Sequence, residues 1–308
     1  MSFQAAFMEI LKTRYLEIFG DREFGGSESK TQAPYYLRNL DDNLCIPMSE
    51  KHRKRYSEAD GNELESKMKS LRSSSAMTFN LLGNDPVMIK KDALFPMGQY
   101  DVTFEHQLPT LKNSPRKANL DALLRSFDDS IEIYCEMKLA EWLFNNASKL
   151  RKPYLDAKNY LVPENDAKLI KSMFHELCLD TIHETESLIP KLNRYDAFQM
   201  LKHALAIYSN CYDRKTNGRP VPSDLFLVNC VWEVVHLDIL ERYESKYLSL
   251  LTEEHDQFEK FKKIVNPLDE LFEKLGIRFH LEYISFSNFL TMLDLKSEHV
   301  QNLQRYIV

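Results

Sequence analysis

The chain has 308 residues, 44% hydrophobic and 28% charged, the balance of a soluble globular protein with enough length for one large or two modest domains. No apolar run approaches the ~18 residues of a membrane-spanning helix, and five cysteines with no C-x-x-C pair argue against a zinc cluster or disulfide framework and for a reducing cytoplasm. The net charge of -6 weighs against nucleic-acid binding, but the basic residues are clustered rather than dispersed.

Residues 3–19 predict an amphipathic helix, with Phe3, Phe7, Ile10, Leu11 and Ile18 near helical spacing and Gly20 and Gly25-Gly26 as its stop. Glu9 and Lys12 inside the apolar pattern distinguish it from a signal peptide. Residues 27–62 read as a loop-rich arm, punctuated by Pro34, Pro47 and Gly61 and carrying the basic run Lys51-His52-Arg53-Lys54-Arg55. Residues 63–82 read as helix, interrupted or restarted at Ser73-Ser74-Ser75 and ended by Gly83, with Lys67, Lys69 and Arg72 as a second basic cluster. Residues 99–107 alternate as a strand, with Tyr100, Val102, Phe104 and His106 on one face and Asp101, Thr103, Glu105 and Gln107 on the other. A loop over 108–118 carries Lys112, Arg116 and Lys117.

The stretch 119–139 predicts a hairpin. Ile131, Ile133, Cys135, Met137 and Leu139 alternate with Glu132, Tyr134, Glu136 and Lys138, and Asp128-Asp129-Ser130 supplies the turn. Folded about Asp129, the hairpin sets Asp121 opposite position 137, beside Glu136 and Lys138, where opposed Cβ atoms sit ~4.5–5.5 Å apart. Two carboxylates and a lysine converging there make a site for a hard divalent cation, and a one-residue slip would send Asp121 to the other face. An ordinary Glu/Lys pair on a solvated strand face is the competing reading.

Beyond the hairpin, 142–149 reads as helix or irregular structure, followed by the cluster Lys149, Arg151 and Lys152. Helices are expected over 164–189 and 196–208, a turn at Asn217-Gly218-Arg219-Pro220, and a buried strand over 224–237 joined to the sheet. Residues 241–275 read as helix broken at Pro267, then a last strand over 277–284 and a last helix over 286–303. There is no internal repeat. The order gives an α/β protein, a mixed sheet flanked by helices.

The constellation resembles the PD-(D/E)XK nuclease superfamily, the restriction-endonuclease-like fold. Asp121 matches its Asp and Glu136-Met137-Lys138 its E-x-K, with Leu120 in place of the proline. The segment from Ser73 to Gly83, the strand carrying Glu105 and the run Gln199-Met200-Leu201-Lys202-His203 resemble a little-studied bacterial branch of it, over roughly residues 70 to 235. The resemblance implies a restriction-endonuclease-like core over 63–237, preceded by an N-terminal helix and arm over 1–62 and followed by a C-terminal helical extension over 238–308 packed on the core. It implies a metal-dependent nuclease acting on DNA, of restriction or defence type, with a non-catalytic nucleic-acid-binding or protein-interaction module as the alternative.

Phosphodiester hydrolysis needs an attacking water, charge neutralisation at phosphorus and help for the leaving oxygen, which suits Mg²⁺, with Mn²⁺ able to substitute. Asp121 and Glu136 are the expected ligands, with the Met137 carbonyl as a third and Glu105 as an extra one. Lys138 is expected to position the water or meet the transition-state charge. Gln199, by the resemblance, comes near the site. Lys51, Arg53, Lys54, Arg55, Lys112, Arg116, Lys117 and Lys202 are the expected phosphate contacts. Glu136 and Lys138, on the polar face of a strand, are expected to be replaceable without loss of the fold. DNA is the expected partner, a membrane is not, and a homodimer is left open.

Rival sites fare worse. His175-Glu176-Leu177-Cys178-Leu179 lacks the second histidine of a zincin, and Asp180-Thr181-Ile182-His183 has di-iron spacing without a partner set. There is no P-loop, dinucleotide fingerprint or serine-hydrolase elbow.

Overall fold

The computed structural model describes residues 2–27, 29, 32–58, 62–91, 93–144, 147–179 and 187–308. Its centre is a six-stranded mixed sheet. Strands β1 (Val87–Ile89), β2 (Gly98–Pro109), β3 (Lys117–Ser126) and β4 (Ile131–Lys138) run antiparallel in that order. A two-residue pair, β5 (Leu150–Arg151) and β6 (Ser187–Leu188), stands apart from it. Strands β7 (Asp224–Val231) and β8 (Arg278–Ser285) extend the sheet in parallel from β4. β7 lies between two parallel neighbours and is buried from Leu225 to Val231, which explains its unbroken apolar run.

The helices divide between the two faces. α1 (Phe3–Phe19), α2 (Glu50–Glu58) and α3 (Ser74–Leu82) cover the face bearing Ile133, Cys135 and Met137, together with α8 (Phe286–Met292) and α9 (Ser297–Leu303). α4 (Glu164–Leu177), α5 (Ala197–Thr216), α6 (Glu244–Val265) and α7 (Pro267–Glu273) cover the face bearing Leu123, Tyr134 and Leu227. Pro267 divides α6 from α7, as its missing N–H and fixed φ predict. Among the described residues no helix is long and apolar enough to cross a membrane.

Several elements differ from the sequence reading. The run 51–55 is not loop but lies in α2, because His52 and Tyr56, one helical turn apart, bury their rings against Phe79 and Phe104. Residues 63–73 form turns and a single 3-10 turn, and only the stretch from Ser74 on is α-helix. There Ser73 Oγ accepts from the N–H of Ala76 at 3.1 Å, closing the N-terminus of α3. Strand β1 carries too few residues for a period-2 signal. α5 runs on to Thr216, and β7 stops at Val231. The Asp180 to His183 pair lies outside the described residues.

The most consequential departure is in β2. Glu105 adopts a left-handed φ of 48°, and the ladder passes from Phe104↔Ala122 to His106↔Leu120 without pairing Glu105 with Asp121. Alternation resets there. Val102, Phe104 and Ala122 pack into one core, whereas Leu108, Ala118 and Leu120 pack into the other. His106 therefore does not share the face of Phe104 as expected; its ring lies 5.9 Å from that of Tyr134.

Candidate active site

The hairpin turn is centred between Asp128 and Asp129, not on Asp129. Asp128 accepts from the N–H of Ser130 at 3.1 Å, and Asp129 takes a left-handed φ of 57°. The pairs Ala122↔Cys135 and Leu123↔Tyr134 then carry Asp121 to a place across from Glu136. The expected 121–137 pairing is thus one residue out, and the correction favours the site. Directly opposed residues of antiparallel strands share a face, so a 121–137 pair would have turned Asp121 toward the apolar side with Met137.

Asp121 is half-buried, and its Oδ2 accepts from the N–H of Met137 at 2.7 Å. The Met137 side chain is in the core. Glu136 is 4% exposed. Its Oε1 accepts from Lys138 Nζ at 2.8 Å and from Gln199 Nε2 at 2.7 Å, and its Oε2 lies 3.1 Å from His203 Nε2. Lys138 Nζ also donates to Gln199 Oε1 at 2.7 Å, closing a ring of three side chains. Gln199 and His203 are one turn apart on α5. The helix is fixed at its start by Asp196, whose Oδ1 accepts from the N–H of Gln199 at 3.1 Å.

Two further carboxylates complete the cleft. Glu105 is buried rather than solvated, and its carboxylate accepts from Asn119 Nδ2. Glu63, which the sequence reading missed, bonds to Lys67 Nζ at 2.7 Å and accepts from Ser75 Oγ at 3.0 Å. Glu63, Glu105, Asp121, Glu136 and Gln199 line one open cleft between the N-termini of α3 and α5. Only the i, i+4 spacing of Glu63 and Lys67 pointed to that pair in the sequence, and no periodicity surrounds it.

Burial raises the Asp121 carboxyl well above the carboxylate range, and the Glu136 and Glu105 carboxylates add to the rise. Glu105 is pushed up to about 7, mainly by burial, with Asn119 opposing. Burial would lift Glu136 as well, but the Lys138 ammonium and His203 outweigh it and hold Glu136 down at about 2. For Lys138, burial favours the neutral amine, and the carboxylates of Glu136, Asp196 and Glu141 overcome it, so the ammonium persists. A hard cation suits this donor set: oxygen ligands, excess negative charge and an open side. Among the described residues, no three His, Cys, Asp or Glu side chains stand at ligand spacing. The carboxylates can therefore supply only part of a coordination shell, as is usual for Mg²⁺, which keeps several waters.

Seven of the eight expected phosphate contacts fall into two groups, with Lys112 apart from both. Lys51, Arg53 and Lys54 lie on α2 with Arg55 and are ion-paired to Asp85, Asp41 and Glu58 respectively. Arg116, Lys117 and Lys202 line a second cavity that shares Asn119 and Gln199 with the carboxylate cleft. Lys112 Nζ donates to the carbonyl of Lys158 at 3.2 Å.

A family model, restriction endonuclease associating with ARP (REase-ARP), matches residues 6–266. No curated protein and no solved structure shows significant similarity to the chain. The matched span takes in strands β1 to β7 and every residue of the cleft, and the chain belongs to this restriction-endonuclease-like family.

Proposed function

We propose that the chain is a metal-dependent nuclease that hydrolyses phosphodiester bonds of DNA, an endonuclease of restriction or defence type. The observation that carries this reading is the pairing across β3 and β4: Asp121 across from Glu136, with Lys138 ion-paired to Glu136 at 2.8 Å and both tied to Gln199. Asp121 and Glu136 would hold the cation, with Glu105 next to them. Mg²⁺ or Mn²⁺ bound there supplies charge neutralisation at phosphorus and a more acidic water. Lys138, fixed as an ammonium, positions the attacking water or faces the negative charge that builds on the phosphoryl oxygens. Gln199 and His203 hold Glu136 so that its position does not depend on the strand alone. The five cysteines are buried and unpaired, which supports a cytoplasmic setting.

The test is cleavage of duplex, single-stranded and modified DNA by the purified chain with Mg²⁺ or Mn²⁺, beside Asp121→Ala. Cleavage by the wild type and its loss in the variant are expected. DNA binding without cleavage in either metal would instead establish a binding module on this fold, and equal cleavage by Asp121→Ala would place the chemistry elsewhere.

A further inference from the structure

The second cavity carries more than the site described above requires. Arg116 and Lys117 come from the start of β3, Lys149 and Arg151 from the β5 segment, and Lys202 and His203 from α5. The β5 segment is locked against the helix: Ser148 N–H and Oγ donate to the two oxygens of Asp196, at 3.1 and 2.7 Å, and Asp196 caps α5. No Asp or Glu lines the cavity. Among the described residues none of the five lysines and arginines makes an ion pair, in contrast to Lys51, Arg53 and Lys54 on α2. Burial lowers the Lys202 ammonium below its usual range, and the carboxylates of Asp196 and Glu136, neither ion-paired with it, offset that only in part.

His203 joins this cavity to the carboxylate site. His203 is 3% exposed, its Nε2 is engaged with Glu136, and its Nδ1 is buried without a partner. A buried ring nitrogen left unpaired is costly; with Nε2–H facing the Glu136 carboxylate, the neutral ring leaves Nδ1 as an acceptor, which a water donating from the cavity side would satisfy. Five cations with no carboxylate among them match the charge and the acceptor oxygens of one phosphate group.

We propose that this cavity is a phosphate seat, taking a phosphate of the substrate strand next to the one that lies over Asp121 and Glu136. Asn119 and Gln199 line both hollows, so the strand passes from one to the other without leaving the surface. His203 lines the seat and engages Glu136 through Nε2, so it stands between the two sites. The adjacency to the scissile phosphate rests on the nuclease reading; the seat itself does not.

The test uses the full chain and two probes. Calorimetry with inorganic phosphate compares the wild type with Lys149→Gln/Arg151→Gln, Lys202→Met and Asp121→Ala. Lys149 and Arg151 are exposed, so their double variant keeps the fold. Phosphate should bind the wild type and Asp121→Ala, and bind both cation variants at least tenfold more weakly. Oligonucleotides with a 5′-phosphate or a 5′-hydroxyl then identify the source. Equal losses on both in the cation variants mean an internal phosphodiester fills the seat, and a loss confined to the phosphorylated strand means a terminal phosphate does. No phosphate binding by the wild type, or unchanged binding of both probes by the cation variants, overturns the seat. A wild type that binds phosphate in this pattern yet cleaves no DNA overturns the nuclease reading and leaves the seat standing.

Discussion

Glu136 is the side chain on which β4 and α5 converge, and its neighbours predict how it and Lys138 differ. Glu136→Gln removes a ligand charge and leaves the Lys138 ammonium facing a neutral amide. It should weaken Mg²⁺ binding, abolish cleavage and cost about 1–3 kcal/mol in urea denaturation, the scale for a buried charged hydrogen bond left imperfect. Lys138→Met should bind Mg²⁺ at least as well as the wild type, since a repelling charge is gone, yet lose cleavage by ~10²–10³. Cleavage surviving in both variants would move the active site. The stability cost departs from the sequence reading, in which both residues sat on a replaceable polar face: strand alternation assigns a side chain to a face but not the helix that covers it. Asp121, Glu136, Lys138 and Gln199 were legible because strand spacing and resemblance pointed to them. Glu63 was not, because it sits among turns that carry no period. Away from the cleft, Glu254 on α6 has an Oε2 without a partner, and burial pushes its carboxyl up to about 7 from 4.5, against the nearby Arg194. A carboxyl raised on folding favours the native state below about 4.5, and that contribution is lost as pH rises toward 7. Glu254→Gln should therefore raise the melting temperature relative to the wild type at pH 8 and leave it nearly unchanged at pH 5. An equal shift at both pH values would show that Glu254 ionises freely in the native state.

At the scale of elements, the break in β2 falls at Glu105, a member of the cleft. Because Glu105 is left-handed, the usual order of strand substitutions should invert there. Glu105→Gly should be more stable than Glu105→Ala by about 1–2 kcal/mol, as read from denaturant midpoints, since only glycine adopts that φ without a Cβ penalty. Glu105→Ala equal to or above Glu105→Gly would mean that the strand is regular at this point. Alternation located β2, but no residue type marked the break, because a left-handed residue is usually announced by Gly or Asn and here is a glutamate. α2 escaped for a related reason. Its surface is almost wholly polar, and the two rings that anchor it are too few to make a stripe. The apolar serine-led helix α3, β7 and the proline boundary of α6 were readable because each depends on local chemistry: a cap, burial on two sides, a missing N–H.

For the molecule as a whole, the long-range order of β7 and β8 beside β4 is set by packing that no local pattern encodes. The last residues tie that packing together. Trp232 Nε1 donates to the carbonyl of Tyr306 at 2.7 Å, Asn80 donates to the Tyr306 hydroxyl at 3.0 Å, and Arg305 donates to Asn43 at 2.8 Å. Deleting residues 304–308 should cost more than about 3 kcal/mol, from the lost buried hydrogen bonds and the cavity left by Tyr306. A truncated chain with an unchanged urea midpoint would contradict that. The cleft itself has a kinetic consequence. Its members, Glu63, Glu105, Asp121, Glu136 and Gln199, are distant in the chain and arrive from three strands, from the turns before α3 and from α5. Closing such separated contacts is slow compared with forming any single hairpin or helix. During refolding, metal affinity should return with the last phase rather than with secondary structure, so a partly folded chain would carry the helices of a nuclease without the means to cut.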